Sequence, residues 1–191
     1  MKANVNSQRE VLVSAPTRTT NEEVIAAARE ILESGGPGGL TMQAVATRVG
    51  VRAPSLYKRF RDRDALLSAV AEACVNDLTE RLEASASDLV RLAAAYRSFA
   101  HAFPESFRLI FTPSAPQEAL QRSAAPVLRA AAALVGEAHT LDAARLFTAW
   151  ATGFVQMELA GAFRLGGAVD EAFDYGLRCV IRGLESDSGS R

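Results

Sequence analysis

The chain has 191 residues, 49% of them apolar and 23% charged, with 21 basic and 22 acidic side chains and a formal net charge of −1. That composition supports one or two compact cores and argues against a disordered chain or a fibrous repeat. The near-neutral total hides an asymmetry: residues 1–70 carry 10 basic and 7 acidic side chains, residues 71–191 carry 11 and 15, so only the front part suits a polyanionic partner.

Residues 1–19 are polar and aperiodic, with Lys2, Arg9 and Arg18 scattered and Pro16 interrupting, and are expected to form a disordered tail. Helical pattern begins at Thr20-x-x-Glu23, a reciprocal capping box, followed by Val24, Ile25, Ala28, Ile31 and Leu32 on one stripe. Gly35-Gly36-Pro37-Gly38-Gly39 is expected to end that helix in a loop. It follows a helix and lacks a Lys-Ser/Thr, so a turn is favoured over a phosphate cradle. Thr41 is then a good N-cap for a helix burying Met42, Val45, Ala46 and Val49, and Gly50 closes it. Pro54 suits the first turn of a second short helix, to about Arg59, with Leu56 and Phe60 facing inward. Its outward side presents Arg52, Ala53, Ser55, Tyr57, Lys58 and Arg59. Between residues 41 and 63, six basic side chains oppose only Asp62. Two short helices with a cationic, hydroxyl-bearing outer face are what a helix–turn–helix needs to enter a DNA groove.

The stretch from Asn21 to Leu78 strongly resembles the DNA-binding domain of TetR/AcrR-family transcriptional regulators. The resemblance rests on Leu40-Thr41, Val45-Ala46, Gly50-Val51, Pro54-Ser55-Leu56-Tyr57, Phe60 and Arg63-Asp64-x-Leu66-Leu67. Arg52 stands where the family often has Ser or Thr, Arg59 where His is common and Arg63 where Lys is common. The resemblance implies an all-α fold of about nine helices. An N-terminal three-helix bundle containing the helix–turn–helix is joined by a long helix to a C-terminal helical domain for ligand binding and dimerisation. In that frame Thr41, Tyr57, Lys58, Arg59 and Arg63 are expected to hold phosphates, while Arg52, Ala53 and Ser55 lie nearest the base edges.

Downstream, Asp62 caps a long helix to about Ala84 carrying Leu67, Val70, Cys74, Leu78 and Leu82. Leu89, Leu92, Ala93, Tyr96, Phe99, Ala100 and Phe103 make the next stripe, ended by Pro104 before Phe107, Ile110 and Phe111. Further helices are expected over about Gln117–Val135, kinked or divided near Pro126, over Leu141–Leu165, ended by Gly166-Gly167, and over Asp170–Leu184. No alternating run argues for a strand. The domains expected are therefore a tail at 1–19, the reader at 20–67, a regulatory and dimerisation unit at 68–185 and a tail at 186–191.

Phe103, Phe107, Ile110 and Phe111, then Trp150-Ala-Thr-Gly153-Phe154 with Met157 and Glu158, resemble the ligand-sensing domain of a TetR subgroup with a Trp…His-Gly pattern. Thr152 replaces its His. The resemblance implies a small, largely apolar effector lined by Phe103, Phe107, Phe111, Trp150, Phe154 and Met157, with Glu158 or His101 as polar handle. Small residues Ala149, Ala151, Gly153, Ala160, Gly161 and Ala162 suggest a homodimer through the last two helices, binding a pseudo-palindromic double-stranded operator. Repression is the commoner outcome in the family.

Enzyme function is not expected. His101 and His139 are the only histidines, and no Gly-x-Ser-x-Gly, His-Glu-x-x-His or nucleotide-binding loop is present. Cys74 and Cys179 lack metal spacing, so no metal or cofactor is expected, and isolated cysteines point to a reducing compartment, the cytoplasm. No run approaches the roughly 20 apolar residues that span a bilayer, and Val11-Leu12-Val13 is too short for a signal peptide, so no membrane association is expected. The competing reading is a helical adaptor whose basic patch contacts protein or membrane.

Overall fold

A computed structural model describes residues 19–86 and 88–188; the expected N-terminal tail, apart from Thr19, and residues 189–191 of the expected C-terminal tail lie outside them. The described residues are helical and contain no strand. The helices are α1 (Asn21–Gly39), α2 (Met42–Arg48), α3 (Ala53–Tyr57), α4 (Arg63–Ala84), α5 (Leu89–Ala102), α6 (Pro104–Ile110), α7 (Gln117–Ser123), α8 (Ala125–Val135), α9 (Thr140–Leu159) and α10 (Val169–Ser188). A single 3₁₀ turn, Glu137–His139, precedes α9. Counting α7 and α8 as one interrupted helix gives the nine expected.

Helix starts follow local chemistry. Thr20 and Glu23 close the capping box, with Glu23 N donating to Thr20 Oγ1 at 3.1 Å and Thr20 N to Glu23 Oε2 at 2.8 Å. Thr41, Asp62 and Asp88 accept from the backbone N–H of Ala44, Ala65 and Arg91 at 3.1, 2.7 and 2.8 Å. The turn after α2 uses Gly50 at φ 71°, where a Cβ would be strained, and Val51 N donates back to Ala46 O at 2.9 Å.

Three boundaries differ from expectation. α1 breaks at Gly36 (φ 63°, ψ −174°), but Pro37–Gly39 resumes a helical turn, because proline suits a first turn. The division expected near Pro126 is present: the break between α7 and α8 falls at Ala124, and Pro126 lies in the first turn of α8. α9 stops at Leu159, where Gly161 takes φ 62° and Ala162 N and Gly161 N bond Met157 O and Glu158 O at 2.9 Å each. Gly166 and Gly167 therefore lie in the following loop, as does Phe163, and α10 runs past Leu184.

α4 is the central strut. Leu66, Leu67, Val70, Ala71, Cys74, Val75, Leu78 and Leu82 are all buried, against α1 at one end and α5 to α8 beyond. A single buried cluster runs from Val24, Val45 and Leu56 in the front helices to Phe107, Phe147 and Leu177 in the rest. α1 is also bolted to α6. Glu33 accepts from the N–H groups of Glu105 and Ser106, at 3.1 and 2.8 Å, supplying the side-chain cap that α6 lacks at Phe103. Arg29 donates to Ser106 Oγ at 3.1 Å and to Asp77 Oδ2 at 2.7 Å, with its guanidinium 4.5 Å from the Phe103 ring centre. Thus each of α1, α4 and α6 contributes a partner to one polar joint.

Candidate nucleic-acid interface and ligand cavity

In the reader, Leu56 and Phe60 are buried, fixing which side of α3 faces out. Arg52, Ser55, Tyr57 and Lys58 are exposed on that side, while Ala53 and Arg59 are half-buried. Arg52 occupies the N-cap position of α3 and makes no side-chain cap bond, as its replacement of a Ser or Thr implies. Among the described residues, neither Arg52 nor Lys58 has an ion-pair partner, so both are available to an anion. Thr41 is exposed, but its hydroxyl oxygen accepts the α2 capping bond, leaving the O–H free to donate.

Other cations in the patch are already engaged. Arg48 pairs with Glu30 at 2.7 Å, Arg61 with its neighbour Asp62 at 3.0 Å, and Arg59 donates to Asn21 Oδ1 at 3.3 Å. Arg63, expected at a phosphate, also has partners within the protein. Its guanidinium donates to Leu40 O at 2.7 Å and to Pro37 O, two carbonyls left open where α1 breaks, and so braces the loop before α2 against α4. The six-to-one charge count overstates the uncompensated charge, since Arg48 and Arg61 are exposed but paired.

Behind α4 a cavity of about 780 Å³ opens among α4, α5, α7, α8 and α9, within the range that holds a drug-sized ligand. Leu78, Leu82, Leu92, Leu120, Val127 and Leu128 give it an aliphatic wall, and Phe111, Leu141 and Gly153 reach its open side. Inside, Tyr96 Oη and Thr152 Oγ1 are 2.7 Å apart. Burial pushes the Tyr96 phenol up to about 12, the bond to Thr152 opposing only in part, so it stays neutral.

Of the eight residues expected to line a pocket, only Phe111 lines this one. Phe107 is fully buried, edge-on to Tyr96 at 5.3 Å between ring centres. Phe103 lies beneath Arg29 and Arg81, bordering a separate groove of about 760 Å³ between α1 and α4. Trp150 and Phe154 project from the opposite face of α9, where they stack with Phe173 of α10, and Phe154 with Phe163. Met157 is exposed. Glu158 is committed to an ion pair with Arg97 and a contact with His101 Nε2 at 3.1 Å; Arg97 also reaches Asp170 at 2.6 Å, tying α5, α9 and α10 together. The Arg97 hydrogen bonds hold the Glu158 carboxyl below the usual carboxylate range, against burial, with His101 adding to the effect.

Comparison with known proteins agrees with this geometry. Residues 24–70 match the family described as bacterial regulatory proteins, tetR family, and residues 89–180 match the tetracyclin repressor-like C-terminal domain. The class C tetracycline repressor protein of Escherichia coli is 30% identical, over 86% of this chain and 90% of its own. The chain belongs to the TetR family. It is thus similar throughout to DNA-binding transcription regulators. An HTH-type transcriptional regulator of Mycobacterium tuberculosis is 29% identical over 78% of this chain and 74% of its own. A TetR variant from Acinetobacter baumannii AYE, crystallised with minocycline, superposes with a TM-score of 0.67 at 26% identity, covering 88% of this chain and 98% of that one.

Within this TetR member, sequence reasoning missed the aliphatic cavity walls on α4, α7 and α8. The signal was present in Leu120, Val127 and Leu128, but large aromatic residues drew the reading to the far side of α9. On a helix Trp150 and Phe154 lie roughly half a turn from Thr148 and Thr152.

Proposed function

We propose that this TetR protein is a cytoplasmic repressor. It binds a pseudo-palindromic operator as a homodimer and leaves it when a small, largely apolar molecule fills the cavity behind α4. The observation that carries the reading is the course of α4: Leu66 and Leu67 are buried with the reader, and Leu78 and Leu82 line the cavity on the same helix. A ligand that favours one pose of α4 changes the spacing of two readers, through a coupling of typically about 1–3 kcal/mol. Relatives named tetracycline repressors, one crystallised with minocycline, support a small-molecule effector.

Arg52, Ala53 and Ser55 read base edges, while Thr41, Tyr57, Lys58 and Arg59 hold phosphates; Arg63 acts on the reader's shape. The dimer forms through α9 and α10. Leu146, Ala149, Gly153 and Met157 make an exposed apolar stripe along α9, beside Tyr175 and Cys179 on α10. Ala151 is buried within the protomer and so leaves the interface first read from the sequence, while Ala160, Gly161 and Ala162 are exposed just beyond the helix end.

The test is selection of bound fragments from a random duplex pool, with and without cell extract, alongside light scattering. A dimer that enriches a two-fold symmetric site, and loses it on adding extract, is expected. Folded dimeric protein with no preference for any duplex over competitor at moderate salt would end the proposal.

A further inference from the structure

The polar inventory of the cavity restricts its occupant beyond "apolar". Its lining holds no Asp, Glu, His, Lys or Cys. A cationic ligand would find no carboxylate, and a metal chelate would find no carboxylate, imidazole or thiolate to share its divalent ion. Arg145 is the one charged residue of the lining, and its side chain is 70% exposed beside Asp142, at the rim. An anion drawn deep into the cavity would lose its hydration among leucines and valines without a counter-charge, which costs several kcal/mol.

What the interior offers is the Tyr96–Thr152 pair, half-buried at 2.7 Å. Two hydroxyls bonded to each other use one hydrogen and one lone pair, leaving one O–H to donate and lone pairs to accept. The Tyr96 ring is held against Phe107, so the pair is positioned before a ligand arrives. Of the other uncharged polar residues of the lining, Ser123 already donates to Leu120 O at 2.8 Å, and Thr148 and Gln156 are exposed.

We infer that the cavity takes an uncharged, mainly aliphatic or alicyclic molecule carrying one hydroxyl or carbonyl oxygen, which bonds to the hydroxyl pair of Tyr96 and Thr152. This rests on the cavity being the effector site. Discrimination then comes from chemistry on both sides: a matching oxygen satisfies the pair, a bare hydrocarbon leaves it dry and unsatisfied, and a charged head group is rejected by the walls. Minocycline, with its protonated amine and oxygen-rich chelating edge, is a poor match.

The experiment compares three ligands with one ten-carbon tail, decan-1-ol, decanoate and decyltrimethylammonium, and minocycline beside them. Each displaces N-phenyl-1-naphthylamine, a neutral dye that fluoresces in apolar cavities, from the full-length protein. The alcohol should bind at least about tenfold more tightly than either ion, a difference of about 1.4 kcal/mol. Tyr96→Phe, which removes a hydroxyl, and Thr152→Val, which exchanges one for a methyl, should weaken the alcohol roughly fivefold, with the affinity of the dye measured on each variant as the reference, in line with one neutral hydrogen bond. Decanoate, decyltrimethylammonium or minocycline matching the alcohol, or an alcohol affinity indifferent to both substitutions, would overturn the inference with the cavity reading intact. If the dye and all four ligands fail to bind the folded protein, the cavity reading falls, and this inference with it.

Discussion

Gly176 offers a sharp test of how α9 and α10 meet. A Cβ built there would lie 2.8 Å from Trp150 Cζ2 and 3.1 Å from both Cε2 and Nε1. Carbon atoms rest at about 3.5–4.0 Å, so Gly176→Ala demands that the indole move by more than half an ångström. The ring has little freedom, stacked on Phe173 at 5.2 Å, which Arg97 in turn covers at 4.7 Å. Overpacking of this kind costs about 1–3 kcal/mol, while the better helix propensity of alanine returns about 1 kcal/mol. The net expectation is a loss of roughly 0–2 kcal/mol, against a gain of about 0.5–1 kcal/mol where glycine is unconstrained. Gly35→Ala supplies that reference, because no atom lies within 4 Å of its Cβ position. Trp150 is the only tryptophan, so its emission in a denaturant titration reports both the packing and the unfolding. Gly176→Ala should fall below Gly35→Ala by about 1–3 kcal/mol and shift the native emission. A Gly176→Ala protein as stable as Gly35→Ala, with unchanged emission, would refute the close approach of the two helices.

Other substitutions separate the remaining claims. Lys58→Ala should weaken operator binding evenly across sequences and lower the salt dependence, whereas Arg52→Ala should relax preference at one base pair by about 1–3 kcal/mol; equal, sequence-blind losses would move Arg52 to the backbone. Arg63→Ala should lower the melting temperature of DNA-free protein, since it strands the Leu40 and Pro37 carbonyls, and unchanged stability with lost binding would restore it as a phosphate contact. Glu158 has a depressed folded pKa, so its contribution is present above the unfolded carboxyl pKa of about 4.3 and is lost as pH falls through the lower folded value. Glu158→Gln should therefore melt earlier than the parent at pH 7, with the gap closing below about pH 4; a constant gap would assign its role to packing. Thiol titration of native protein should spare Cys74, buried and with its thiol pKa raised by burial, and reach Cys179 faster in dilute protein than in the dimer.

The reader was legible in the sequence because its signals are local. Thr20 with Glu23, Thr41, Gly50 and Asp62 each act within three or four residues of themselves, and all take the roles their positions imply. The internal partners of Arg63 were not legible because they lie 23 and 26 residues away and become available only once Gly36 breaks α1. The end of α9 was placed late for a similar reason: Gly161 and Gly166 both reach positive φ, and only the bonds to Met157 and Glu158 show which one closes the helix. Periodicity found the apolar residues of α9 but not which neighbour each face would meet. The aromatic side went to α10, and the smaller residues around Thr152 were left to border open space.

The joint at Glu33 and Arg29 limits how freely parts of this molecule can be exchanged. Helix-swapping schemes treat the front bundle as a cassette to be moved between bodies. Here the cassette carries a carboxylate whose acceptor oxygens are filled by two amides of α6, and a guanidinium bonded to Asp77 and Ser106. Transplanted onto a foreign scaffold without matching groups, Arg29 and Glu33 would keep only each other, four residues apart on α1, and lose every partner across the joint. A successful hybrid would have to import residues 103–107 and Asp77 together with the bundle, or accept a looser connection.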